Sequence, residues 1–210
     1  MHHRIAAGLT ATALVAGGLM VTTAAPASAA PGQRSLATVL AADGHGFDRN
    51  GRDFDILDRA VVTVLKAKPD SPVAVLANGK VRLTAFLPTD AAFQRLVGSL
   101  TGKKPATERA AFTRIARLVD VDTLETILLY HVVPGATITA AKASKADDAK
   151  FTTAAGPKLA VNVRRGGAIY LRDKDHDAKN AMVIPALADL NKGNRQIAHG
   201  INRVLRPVDL

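Results

Sequence analysis

Apolar residues recur at three- and four-residue spacing in the first half of the chain and alternate in short runs in the second. Leu36, Val39 and Leu40 predict a short helix over 35–42. A Gly- and Asp-rich loop follows over 43–53. Ile56, Leu57, Ala60, Val61, Val64 and Leu65 form one stripe of a helix that begins at Asp55 and ends at Pro69. Val73–Leu76 and Val81–Phe86 read as two strands joined by an Asn78-Gly79 hairpin turn. Alternation in the second places Val81, Leu83 and Ala85 on one face and Arg82, Thr84 and Phe86 on the other. Pro88-Thr89-Asp90 then opens a helix carrying Ala92, Phe93, Leu96 and Val97, with Thr89 or Asp90 available to accept from free N–H groups at its start. Two more helices are expected. The first spans 108–118, with Phe112, Ile115 and Leu118 inward. The second spans 123–132, with Leu124, Ile127 and Leu128 in register, and Pro134-Gly135 stops it.

Beyond Gly135 the pattern changes. Residues 159–163, 168–171, 181–184, 196–199 and 201–205 are short, β-branched runs separated by Gly, Asn and Asp, and they predict strands. A helical first half and a stranded second half imply one α+β domain. No internal repeat is visible. Hydrophobic residues make up 48% of the 210, enough for a core, but aromatics only 4%. Aliphatic side chains must therefore fill that core. With no cysteine, disulfides, thiolate metal sites and a Cys nucleophile are excluded.

The N-terminus adds a localisation. Arg4, a long uncharged stretch over 5–23, the helix breaker Pro26 and the small residues Ala27-Ser28-Ala29 have the form of a secretory signal peptide over 1–29. An uncleaved anchor is the rival reading, but the stretch barely reaches spanning length and is diluted by Gly and Thr. The expected organisation is a leader over 1–29, a short segment over 30–34 and a single domain over 35–210. The protein is expected to be secreted, or peripheral to the cell envelope. The net charge is +10, and the leader accounts for only one unit of it. Such a field favours anionic partners, acidic polysaccharide among them. The Lys and Arg residues are spread along the chain rather than clustered.

Searches for chemistry are negative. Asp48-Arg49-Asn50-Gly51-Arg52-Asp53-Phe54-Asp55 places oxygen ligands in a turn, but an EF-hand count from Asp48 puts Asp53 and Arg59 where Gly and a bidentate acid are required. Acids in that position more often cap a helix. Asp173-Lys174-Asp175-His176-Asp177 fails the same count and reads as a solvated hairpin loop. There is no nucleophile-elbow, zinc-protease or P-loop motif, and only five serines. No catalytic residue, cofactor or metal is expected. The short basic pairs Lys103-Lys104 and Arg164-Arg165 lack interleaved aromatics, so specific nucleic-acid binding is not expected either.

Three segments resemble a known family. Leu83-Thr84-Ala85-Phe86-Leu87-Pro88-Thr89-Asp90-Ala91-Ala92-Phe93 looks like the first conserved box of fasciclin (FAS1) domains. Tyr130-His131-Val132-Val133-Pro134-Gly135 resembles the family's Tyr-His motif. Ile197 to Pro207, with His199, Asn202 and Val204-Leu205, is similar to the second box. Order and spacing agree over about 35–210. The resemblance implies a wedge-shaped β-sandwich with helices packed against it. It also implies extracellular binding or adhesion without catalysis, with a small-ligand carrier as the alternative. The family motif residues, possible points of adhesion, are Pro88, Thr89, Asp90, Tyr130, His131, His199 and Asn202. His131, at the end of an apolar helix, is placed to donate to a backbone carbonyl or to Asn202. Ala198, Gly200 and Asn202 depart from the family's usual Ile, Val and Asp. The stretches 102–119 and 173–194 look longer than a minimal module and suit partner specificity.

Overall fold

The computed structural model describes residues 32–42, 44 and 46–208. The signal peptide expected over 1–29 lies outside them. Helices α1 (Leu36–Leu40), α2 (Asp55–Ala67), α3 (Asp90–Thr101), α4 (Glu108–Leu118) and α5 (Val121–Tyr130) occupy the first half. The apolar stripe of α2 is buried from Ile56 to Val64, and α2 packs against α3, α4 and α5. The second half holds β2 (Val132–Pro134), α6 (Ala140–Ala143), β3 (Lys150–Thr152), β4 (Lys158–Val163), β5 (Ile169–Arg172), β6 (Ala181–Met182) and β7 (Gln196–Ile201). Strand β1 (Leu83–Pro88) precedes α3. The strands form a three-stranded sheet ordered β2-β1-β7 and a four-stranded antiparallel sheet ordered β3-β4-β5-β6. The α+β class read from the sequence is the one observed.

Strand β1 is the spine. It runs antiparallel to β2 and parallel to β7, and all six of its residues are buried. Leu83, Ala85 and Leu87 join the helix-side core with α1–α5. Phe86 joins a second core that also contains Ile201 from its own sheet and Leu159, Val161 and Leu171 from the facing sheet. The alternation of faces along β1 is as expected, but neither face meets solvent, because helices cover one side and the other sheet covers the second.

Several elements differ from expectation. Pro72–Ala77 is a 3₁₀ helix, not a strand. Ser71 Oγ accepts from Val73 N–H at 3.2 Å, and the Gln196 amide donates to the carbonyls of Val75 and Asn78 at 2.8 and 2.9 Å. These groups are therefore unavailable to a ladder. Asn78-Gly79 consequently makes no hairpin. A Cβ on Gly79 would stand 1.7 Å from Gln33 O, so glycine serves close packing of the N-terminal segment. Helix α4 buries Glu108, Ala111 and Ile115, while Phe112 is half-buried against Phe47 and Leu118 is exposed. The inward face of α4 is thus turned toward Ala111, which is fully buried in the helix-side core, and away from Leu118. Of the run over 201–205 only Ile201 is in a strand, as the last residue of β7; beyond it Asn202 N–H donates to Met182 O and Leu205 N–H to the His131 ring, so no ladder continues. The loop at 173–177 is anchored rather than solvated. The Asp173 carboxylate accepts from Arg206 N–H at 2.8 Å, and buried Asp175 pairs with the Arg206 guanidinium.

Candidate functional site

The three motif segments, far apart in sequence, meet in one sheet. The first box supplies β1 and the start of α3, the Tyr-His motif supplies the end of α5 and β2, and the second box supplies β7. Pro88 pairs with Ile201, and Thr89 N–H donates to Ile201 O at 3.1 Å. Thr89 is the N-cap of α3 but makes no side-chain cap bond there. Asp90, fully buried, does not cap its own helix either. Its two carboxylate oxygens accept from Asp55 N–H at 3.2 Å and Ile56 N–H at 2.9 Å, at the start of α2. Phe54, the N-cap of α2, offers no side-chain acceptor. The motif acid therefore closes a helix that begins 35 residues earlier.

His131 joins three parts of the fold. Its Nδ1–H donates to Ile127 O at 2.7 Å, and its Nε2 accepts from Leu205 N–H at 2.9 Å. Its carbonyl also accepts from Phe86 N–H at 2.9 Å. An acceptor role for Nε2 fixes the neutral tautomer with the proton on Nδ1. Burial in an apolar setting lowers the imidazole's pKa to about 4. The backbone carbonyl expected as a partner is Ile127 O, whereas Asn202 bonds elsewhere. Tyr130 has no exposed surface, its hydroxyl donates to Lys158 O at 3.3 Å, and burial pushes its pKa up to about 12. His199 lies against Phe86, accepts from Asp189 N–H through Nδ1 and donates to Ile138 O through Nε2. Burial lowers its pKa as well. Asn202 exchanges a pair of bonds with Met182, its N–H donating at 3.1 Å and its Oδ1 accepting at 2.8 Å, and so holds β6 beside β7.

These side chains are spent on the framework, so accessible surface chemistry lies elsewhere. A shallow basin of about 550 Å³ opens where β1, β7 and the start of α6 meet. Exposed Arg82, Lys142, Lys192 and Arg195 line it with Thr137, Thr139 and Asn194. Asp189 pairs with Lys192 at 3.7 Å, on the edge of this group. A second hollow of about 280 Å³ gathers Lys150, Lys158, Arg172 and Lys174 beside Asp173. A third, of about 350 Å³, is apolar and lies between α6 and β5–β6, with Ala140, Ile169, Met182, Val183, Pro185 and Ala188 in its wall. Among the described residues no helix is long and apolar enough to cross a membrane.

The model of the Fasciclin domain matches residues 60–207. The chain belongs to the fasciclin family. Fasciclin domains are in general binding or adhesion modules, extracellular or surface-associated. A FAS1 domain pair from the insect cell adhesion molecule Fasciclin I is similar to this chain at 22% identity and a TM-score of 0.47. The similarity covers 75% of this chain and 46% of that one, so this fasciclin chain matches about half the length of its solved relative. A search of curated proteins found no match. Helix α1 and the start of α2 precede the matched region yet share its core, Leu36 and Ile56 being fully buried in it.

The departures from the family pattern have local causes. A Cβ at Gly200 would lie 2.5 Å from Leu187 Cβ, so the turn over Pro185–Leu187 fills the space that the usual Val would take. Asn202 uses its amide oxygen as an acceptor for a backbone N–H, a role that needs no charge. Sequence reasoning did not find the basic basin. Arg82, Lys142 and the pair Lys192 and Arg195 come from three separate segments, and the parallel pairing of β1 with β7 brings Arg82 and Arg195 to the same end of the sheet.

Proposed function

We propose that this fasciclin domain is a non-catalytic binding or adhesion module that acts outside the cytoplasmic membrane, secreted or held at the cell envelope, and that it grips an anionic polysaccharide in the basin of Arg82, Lys142, Lys192 and Arg195. The observation that carries this reading is the gathering of four exposed cationic side chains around one open concavity. Carboxylate or sulfate groups along a flexible polymer would meet both guanidinium forks and ammonium points there. The burial of the motif histidines and tyrosine supports a contact surface formed by other residues. The leader-like N-terminus supports the location.

Retention of the protein on immobilised acidic polysaccharides and on intact envelopes at physiological salt tests the proposal. Replacing Arg82, Lys142, Lys192 and Arg195 together by Ala should lower retention at least tenfold. Equal retention by the variant, or none by either protein, refutes it. Neutralising Lys150, Lys158 and Lys174 instead separates this basin from general positive charge. A second reading, carriage of a small apolar ligand, is favoured by the apolar groove between α6 and β5–β6. Native mass spectrometry of protein recovered from producing cells reads it out, and a clean apo mass counts against it.

A further inference from the structure

Five acids meet at the junction of α2, α3 and α4, in a protein that is otherwise strongly basic. Asp53, Asp90 and Glu108 each contribute a carboxylate oxygen, and these oxygens lie within 4.8 Å of one another. Asp48, Asp53 and Asp55 form a second set with the same spacing, so Asp53 belongs to both. The inner set is interior: Asp90 is 0% exposed, Glu108 2% and Asp53 9%. Two of its oxygens, Asp53 Oδ1 and Glu108 Oε2, are buried with no hydrogen-bond partner among the described residues. Orphaned acceptors of this kind are costly, and buried carboxylates are normally paired or bound to a metal. Glu108 is not needed as the cap of α4, since Thr107 Oγ1 already accepts from Ala110 N–H at 3.2 Å.

From this geometry we infer that Asp53, Asp90 and Glu108 form a buried site for a single hard divalent cation, Ca²⁺ by preference, with Asp48 and Asp55 lining the route to it from solvent. Only oxygen donors are present, which selects Ca²⁺ or Mg²⁺ over softer metals. Oxygens that share one Ca²⁺ at about 2.4 Å can stand no more than about 4.8 Å apart, and the three carboxylate oxygens meet that limit. Mg²⁺ requires a near-ideal octahedron at about 2.0–2.1 Å and retains several waters, which suits an interior cluster of irregular carboxylates poorly. Exposed Asp48 stands beside Asp55 and Asp53, and Asp53 also belongs to the inner set, so the carboxylates run continuously from the surface to the interior. Burial, with Asp53 beside it, raises Asp90 to about 9, and burial raises Glu108 to about 7. The bound ion ties the loop over 46–53 and helix α4 to the first-box helix α3. That function is structural and independent of the basic basin.

The test uses the full-length chain, stripped with a chelator and titrated with CaCl₂, MgCl₂ and NaCl in parallel. Equilibrium dialysis should find one Ca²⁺ per chain, with a Kd in the range of extracellular modules, about 10⁻⁴–10⁻³ M. At a hundredfold excess over Kd the melting temperature should rise by about 5–10 °C. Glu108→Gln and Asp53→Asn should each weaken Ca²⁺ binding at least tenfold, whereas Asp148→Asn, remote from the cluster, should leave it unchanged. Equal responses to Ca²⁺ and NaCl, no Ca²⁺ bound at several millimolar, or a response that survives both variants would overturn the site. A wild type indifferent to Ca²⁺ and made more stable by Glu108→Gln would likewise overturn it, since shared protons alone would then satisfy the cluster. If either variant fails to fold, the dialysis stoichiometry on the wild type decides.

Discussion

Replacing His131 by Ala removes a group that two elements depend on. Leu205 N–H, in a fully buried residue, loses its acceptor, and Ile127 O loses its donor. An orphaned buried N–H costs about 1–3 kcal/mol, and the space left by the ring adds about 2 kcal/mol. We expect a loss of about 3–5 kcal/mol at pH 7, a large part of a typical total stability of about 5–15 kcal/mol. The pH dependence distinguishes this account from a generic cavity. The imidazole's pKa is about 4 in the fold against an ordinary 6.5, so the unfolded chain takes up the proton first. His131's contribution is therefore complete above about pH 6.5 and drains away as pH falls toward 4. The gap between the two values corresponds to about 3 kcal/mol. The wild type's advantage over His131→Ala should accordingly shrink to about 0–2 kcal/mol near pH 4. Urea unfolding of both proteins at pH 7 and pH 4, followed by far-UV circular dichroism, measures it. A penalty below about 1 kcal/mol at pH 7, or one that stays constant with pH, would refute the reasoning.

Three further outcomes follow from the same geometry. Asp90→Ala should cost about 2–4 kcal/mol, because two N–H groups at the start of α2 lose their acceptors; hydrogen exchange should show the first turn of α2, not of α3, losing protection. Gly200→Val should cost about 1–3 kcal/mol through overlap with Leu187, and Leu187→Gly, which removes the overlapping Cβ, should recover part of that loss in the double variant, as thermal melts would show. Arg206→Ala leaves the buried Asp175 carboxylate unpaired and should cost about 3 kcal/mol, whereas Arg206→Ala combined with Asp175→Asn should cost clearly less in the same melts.

The elements easiest to read were those whose signals are local. Helix α2 announces itself by six apolar positions at helical spacing and by Pro69, and α3 by Pro88 ahead of Ala92 and Phe93. The three boxes marked the fold because each is a contiguous string. Val73–Leu76 misled because a short β-branched run is ambiguous, and what decides its conformation is the Gln196 side chain, more than a hundred residues away. The target of Asp90 was hidden for the same reason: nothing near it in sequence points back to α2. Among candidate sites, the acidic loop over 48–55 was visible but incomplete, because its inner set needs Glu108 from a helix that looked like an insertion. The basic basin was invisible as a cluster, since charge dispersed along the chain can converge once strands pair.

The parallel pairing of β1 with β7 also bears on how the chain comes to fold. Leu83 aligns with Gln196 and Pro88 with Ile201, so the central strand waits for the last strand before its ladder closes. Contacts this distant in sequence favour slow folding. Until the C-terminal segment arrives, β1 presents an unpaired and largely apolar edge, the kind of template that recruits other chains. A nascent chain that stalls short of residue 196, or is cleaved within β7, should therefore aggregate rather than persist as a shortened domain. A holding factor that keeps the chain extended until synthesis ends would work with this topology, not against it.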